Sequence, residues 1–213
     1  MDKKYAIFDM DGTLVDSMPK WRGLGWEFLR RRGVTEVPPE LLARMRHRTM
    51  VETGQMFIDA FHLEGTAESV AAEINGMMAE HYRTDVELKE GVIPYLEKLK
   101  ARGVRMCIAS ATAKPLQEIC LERLGLRPYF EEIFSCMDIG VGKASPDIYN
   151  LAAEYMGCRP EEAAVYEDAF FAGQTAKNAG YYLAAIYDET ASEQWEQLRE
   201  LADESFRSWT EAE

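Results

Sequence analysis

Two carboxylates stand one residue apart at the end of a short apolar run, in the stretch Tyr5-Ala6-Ile7-Phe8-Asp9-Met10-Asp11-Gly12-Thr13-Leu14. The run reads as a buried strand. Gly12-Thr13 is a turn signal directly after it. Asp9 and Asp11 share a face if the strand continues, and in a turn they can converge on one point beyond its end. Acids held that close repel each other and favour a cation between them. A hard ion such as Mg2+ suits such a pair, because it binds one or two carboxylates together with substrate phosphate oxygens. The alternative is a plain acidic turn. Acids at a strand end lie where open α/β sheets bind ligands, which favours the first reading.

Other reactive side chains fall at comparable places. The apolar run 104–109 stops at Ser110-Ala111-Thr112, and the run 163–166 stops at Glu167-Asp168. Lys143 sits in a loop, Gly140-Val141-Gly142-Lys143-Ala144, ahead of a helical pattern. Three acids for a metal, one lysine and one hydroxyl would together make a phosphate site, the lysine serving as a point charge. Gly142-Lys143 is not a Walker-type phosphate loop. Met137 stands where the first glycine would fall, and Ala144 replaces the serine or threonine.

The elements that must position these groups alternate. Apolar runs at 5–8, 104–109, 133–134, 163–166, 182–186 and 205–206 read as strands separated by helical patterns, which implies a Rossmann-like α/β core, a parallel sheet with helices on both faces. Ser145-Pro146 reads as an N-cap with proline at the first helical position. The helix after it would bury Ile148, Leu151, Ala152 and Tyr155. A polar helix is expected over 192–201. Between the first two strands lies a block without strand pattern. Trp21, Leu24, Gly25, Phe28 and Leu29 follow helical spacing, as do Thr53, Gly54 and Phe57, and then Val70, Ile74, Met77, Met78 and Tyr82. A short helix is expected from Pro39 through Met45. The expected organisation is a catalytic core of residues 1–17 and 87–213, with an all-α cap of residues 18–86 inserted after the first strand. The methionines of the block read as core filler.

Composition narrows the class. The chain has 213 residues, 47% of them hydrophobic, and a net charge of -13. That content supports a real core. The acidic balance argues against a nucleic-acid or membrane-surface binder. No apolar run approaches the ~20 residues of a membrane span, and no signal peptide is expected. Cys107, Cys120, Cys136 and Cys158 form no C-x-x-C pair. Reduced thiols in a cytoplasmic protein are expected, with monomer as the default state.

Asp9-Met10-Asp11-Gly12-Thr13-Leu14-Val15-Asp16-Ser17 resembles the first motif of the haloacid dehalogenase superfamily nearly letter for letter. Ser110, Lys143 and Glu167-Asp168 resemble its second, third and fourth motifs, in the same order. The helical insert resembles the cap of the subfamily of phosphoglycolate phosphatase and β-phosphoglucomutase. The resemblance covers essentially the whole chain. It implies a Mg2+-dependent phosphatase acting on a small phosphorylated metabolite through an aspartyl-phosphate. Asp9 would be the nucleophile and Asp11 the general acid, then base. Asp9, the Asp11 backbone carbonyl and Asp168 would hold Mg2+, with Glu167 nearby through water. Ser110 and the Ala111 amide would bind phosphoryl oxygens, and Lys143 would neutralise charge.

Substrate choice is expected in the insert, where Lys20, Trp21, Arg46, His47 and Arg48 are the candidates. A β-phosphoglucomutase-like sugar-phosphate mutase is the alternative activity. By spacing, Trp21 and Met50 stand where the mutases carry an assisting histidine and arginine, a departure that argues against it. A dehalogenase is disfavoured because Asp11 is present.

Overall fold

The computed structural model describes residues 2–43 and 50–212. Among them the chain forms two compact units, residues 1–18 with 86–213 and residues 19–85. In the first unit six parallel strands make one sheet: β1 (Tyr5–Phe8), β2 (Arg105–Ser110), β3 (Glu132–Ser135), β4 (Ala163–Glu167), β5 (Tyr182–Ile186) and β6 (Glu204–Phe206). Their order is β3-β2-β1-β4-β5-β6, so β1 lies between β2 and β4. The chain runs outward from β1 to β3, then returns to the other side of β1. That reversal creates a crevice beyond the carboxyl ends of β1 and β4.

Alternation along the strands covers both faces. Ile7, Cys107, Ala109 and Val165 join one buried cluster with Ile148, Tyr149, Ala152 and Met156. Phe8 and Tyr166 point the other way and stack at 4.2 Å, beside Tyr95 and Trp209. Tyr95 belongs to α5 (Val92–Ala101), and Tyr149 to α8 (Asp147–Met156). A helix-covered parallel sheet requires such strands, apolar on both faces, and β4 is buried throughout.

The remaining helices of this unit are α6 (Lys114–Arg123), α7 (Cys136–Ile139), α9 (Phe170–Asn178) and α10 (Trp195–Leu201). The other unit carries α1 (Met18–Arg31, which starts at the junction), α2 (Pro39–Ala43), α3 (Met50–Phe61) and α4 (Ala67–Thr84). Phe28 and Phe57 stack at 5.9 Å in its core. Gly54 lets α3 lie against the start of α4, since a Cβ there would meet the Ala67 carbonyl oxygen at 2.5 Å. Thr66 caps α4, and its hydroxyl accepts the Ser69 amide.

Several local expectations need correction. The N-cap of α8 is Pro146, not Ser145, whose hydroxyl donates to Asp147 at 2.8 Å instead. The buried stripe of α8 is Ile148, Tyr149, Ala152, Ala153 and Met156, while Tyr155 is 50% exposed. The segment expected as one polar helix over 192–201 is a 3-10 stretch (Glu189–Gln194) followed by α10. A one-turn helix, α7, follows β3, capped by Ser135. The part of the helix expected from Pro39 that lies beyond Ala43 is outside the described residues. All four cysteines are free; Cys107, Cys120 and Cys136 are buried and Cys158 is half-buried. Among the described residues, no helix is long and apolar enough to cross a membrane.

Candidate active site

Strand register brings the acids together. Phe8 pairs with Tyr166 in the ladder, and the Asp9 amide still donates to the Tyr166 carbonyl at 3.0 Å. Asp9 therefore emerges beside Glu167 and Asp168. One carboxylate oxygen from each of these three buried residues lies within 4.8 Å of the others. Gly12, at φ +86°, permits the approach, because a Cβ there would sit 2.4 Å from Asp168 Oδ2. The loop closes tightly as the Leu14 and Val15 amides return to the Met10 carbonyl.

Lys143 enters this cluster from the loop between α7 and α8 and is itself buried. Its ammonium donates to Asp9 Oδ1 and to Glu167 Oε1 at 2.6 Å. The Tyr149 hydroxyl donates to the same Glu167 oxygen at 2.8 Å. Burial pushes the Asp9 carboxyl up to about 7; Lys143 opposes this, while Glu167 and Asp11 reinforce it. Asp168 is driven well above the usual carboxylate range by burial, then by Asp9 and Glu167. Burial disfavours the Lys143 charge, yet Asp9 and Glu167 beside it hold its ammonium above the ordinary lysine range.

Among the described residues, three buried carboxyls share one ammonium in this cluster, and the negative charge left over adds to burial in raising Asp9 and Asp168. A divalent, oxygen-seeking cation among them would remove that excess. The donor set thus fits Mg2+ in charge and in ligand chemistry. Asp9, Asp168 and Glu167 are the residues available to hold it.

The Asp11 carboxyl turns elsewhere. It is half-buried and accepts hydrogen bonds from Ser17 Oγ at 2.6 Å and from Thr112 Oγ1 at 2.7 Å. Ser110 ends β2, buried, with its hydroxyl accepting the Thr112 amide at 3.1 Å. Since β1 and β2 pair Phe8 with Ile108, Ser110 lies two residues further along the same sheet edge.

Among the substrate candidates, Lys20 is ion-paired with Asp85, and the Trp21 indole donates to the Tyr82 hydroxyl at 3.1 Å. Both therefore have partners within the helical unit. Arg46, His47 and Arg48 lie outside the described residues. Thr13 donates its hydroxyl to Asp168 Oδ1 at 3.4 Å, and the contacts of Thr13, Ser17, Thr112 and Tyr149 are not apparent from spacing alone. Thr13 and Ser17 do belong to the opening motif, and Thr112 lies in the turn after Ser110. Tyr149 carries no local signal, since it reads as one more apolar position.

Comparison with known proteins identifies the assembly. Residues 3–180 match the family model described as haloacid dehalogenase-like hydrolase. Escherichia coli fructose-1-phosphate phosphatase YqaB is 29% identical over 84% of this chain and 95% of its own. Phosphoglycolate phosphatase of Rhodobacter capsulatus is 30% identical over 82% of this chain and 80% of its own. A Thermotoga maritima structure described as a candidate β-phosphoglucomutase superposes with a TM-score of 0.78 at 23% identity, covering 95% of this chain and 94% of that one. The chain belongs to the haloacid dehalogenase-like hydrolases, in the subfamily of phosphoglycolate phosphatase, and is an enzyme of the phosphoric monoester hydrolase class.

Proposed function

We propose that this enzyme hydrolyses a small phosphorylated carbohydrate through an aspartyl-phosphate on Asp9, with Mg2+ as cofactor. The observation that carries the reading is the convergence of Asp9, Lys143, Glu167 and Asp168 in one buried cluster at the β1/β4 crevice. The carbohydrate class rests on the fructose-1-phosphate phosphatase relative. The free thiols suit a reducing cytoplasm.

An Asp9 carboxylate oxygen attacks phosphorus, and the bond from phosphorus to the substrate oxygen breaks. The electron pair goes to that oxygen, which takes a proton from Asp11, and the alcohol leaves. Asp11, now a carboxylate, accepts a proton from water as that water attacks phosphorus. The bond to Asp9 breaks, inorganic phosphate departs and Asp9 is regenerated. Ser110 and the Ala111 amide donate to phosphoryl oxygens. Lys143 holds Asp9 in place and offsets charge on the phosphoryl group. Asp9, Asp168 and the Asp11 backbone carbonyl, with Glu167 nearby, would hold Mg2+, which would supply positive charge to offset that of the phosphoryl group. The helical unit acts as the cap that selects the alcohol, with Lys20, Trp21, Arg46, His47 and Arg48 as its candidate contacts. The enzyme is taken to act as a monomer.

The test is phosphate release from a panel of sugar phosphates, with and without Mg2+, for the wild type and Asp9→Asn. Mg2+-dependent release that vanishes in Asp9→Asn, with the melting transition intact, is expected. Retained turnover in that variant would overturn the nucleophile assignment. Isomerisation of a sugar phosphate without net phosphate release would favour the mutase instead.

A further inference from the structure

Thr112 is gripped on every polar atom. Its amide donates to Ser110 Oγ at 3.1 Å. Its carbonyl accepts from Gln117 Nε2 at 2.7 Å and from Ser135 Oγ at 2.8 Å. Gln117 and Ser135 are both buried and come from different elements, α6 and the end of β3. Backbone held on both sides leaves the side chain little freedom. Its hydroxyl then donates to the carboxyl of Asp11, 101 residues away in the chain.

A threonine whose only task is to cap a turn would bond to nearby backbone. Thr112 instead sends its hydroxyl across the sheet edge to the proposed proton-transfer group. Its amide has a second consequence. With the Ser110 oxygen already accepting a hydrogen bond, the Ser110 hydrogen is free to point at a phosphoryl oxygen.

We propose that Thr112 is the positioning residue that couples Asp11 to the phosphate-binding turn, so that the proton donor and the phosphoryl site are held as one rigid piece. This rests on the phosphatase reading with Asp11 as general acid. The proton that Asp11 delivers matters most when the departing oxygen is strongly basic. An activated aryl phosphate expels its phenolate without one. A residue that orients the acid should therefore matter for poor leaving groups and hardly at all for good ones.

The experiment compares wild type, Thr112→Val and Thr112→Ser on p-nitrophenyl phosphate, phenyl phosphate and fructose 1-phosphate, with Mg2+ present. The readout is kcat/KM, which covers the steps up to loss of the alcohol and is blind to hydrolysis of the aspartyl-phosphate. Positioned proton transfer is worth about 10^2 to 10^4-fold, so loss of its alignment should cost Thr112→Val at least ~10-fold on phenyl phosphate or on fructose 1-phosphate. On p-nitrophenyl phosphate the same variant should stay within about 3-fold of wild type, a span worth under 1 kcal/mol of barrier. Thr112→Ser, which keeps the hydroxyl, should restore the poor-leaving-group rates. Equal losses on all three substrates, no loss on any, or no recovery with serine would each overturn the proposal. Failure of the wild type to hydrolyse any of them would instead count against the phosphatase reading, and retained p-nitrophenyl phosphate turnover certifies a folded variant.

Discussion

Gly12 and Asp168 are set so closely that a single added carbon on Gly12 would lie 2.4 Å from Asp168 Oδ2 and 2.8 Å from its Cγ. The glycine also sits at φ +86°. Gly12→Ala therefore meets two penalties. The left-handed backbone costs an ordinary residue about 1–2 kcal/mol, and the collision pushes Asp168 away from Asp9. We expect a lowered melting temperature and a loss of Mg2+-dependent stabilisation. Differential scanning fluorimetry with and without Mg2+ reads both; a variant that gains as much from Mg2+ as the wild type would refute this role.

Lys143 supplies the cation paired with Asp9 and Glu167 inside the cluster. Lys143→Met keeps the apolar stem but removes the charge. Breaking a buried pair on one side typically costs about 3–5 kcal/mol because the partner charges stay buried. The loss should be smaller in Mg2+ than in EDTA, since the ion takes over part of the neutralisation. Urea unfolding under the two conditions measures it, and equal losses in both would disprove the shared charge balance. Phosphate release should also fall by more than about 100-fold, in line with the electrostatic share of phosphoryl transfer.

Tyr149 gives its hydroxyl to Glu167 at 2.8 Å from a fully buried position. Tyr149→Phe removes that donor without opening a large cavity. The expected cost is about 1–3 kcal/mol, typical of leaving a buried acceptor without its donor, seen as a shifted urea midpoint at unchanged slope. An unchanged midpoint would mean that Glu167 is satisfied without it.

The degree to which the site is readable along the chain follows from the range of each signal. That Asp9, Ser110 and Asp168 share one sheet edge is legible because each closes a short apolar run, and such runs end at the same edge when strands are parallel. Lys143 is legible only as the third member of that ordered set. Tyr149 and Tyr155 are equally amphipathic positions on one helix, and what separates them is Glu167, which only β4 packing brings to one of them. Thr112 is hidden for a similar reason: its partner Asp11 is fixed by the β1–β2 pairing, not by neighbours in sequence. The helical insert is legible as four amphipathic patterns, yet periodicity cannot tell that Lys20 and Trp21 are engaged by Asp85 and Tyr82. Ser145 misleads because proline follows it, and the backbone uses Pro146 itself as the helix boundary.

His81, on α4, engages an acid through each ring nitrogen, one on α1 and one at the end of its own helix. Nε2 lies 2.9 Å from Glu27 on α1, and Nδ1 lies 2.9 Å from Asp85 just past α4. Burial alone would lower its pKa, but hydrogen bonds to Glu27 and Asp85, with their charges, outweigh it and raise the imidazole above its ordinary value. A raised folded-state value means that the native chain holds this proton more tightly than the unfolded one. The stabilisation is complete below the unfolded value of about 6.5. It is lost as pH rises through the higher folded value. Glu27 and Asp85 are about a third or more exposed, so solvent and salt weaken the effect. The His81 ring resonance, assigned by comparison with His81→Asn, should titrate above 6.5 by NMR. Between pH 6 and 8 the wild type should lose more stability than His81→Asn, and less so at high salt. A His81 resonance titrating at or below 6.5 would sink the assignment of this histidine as a charged strut between the helices.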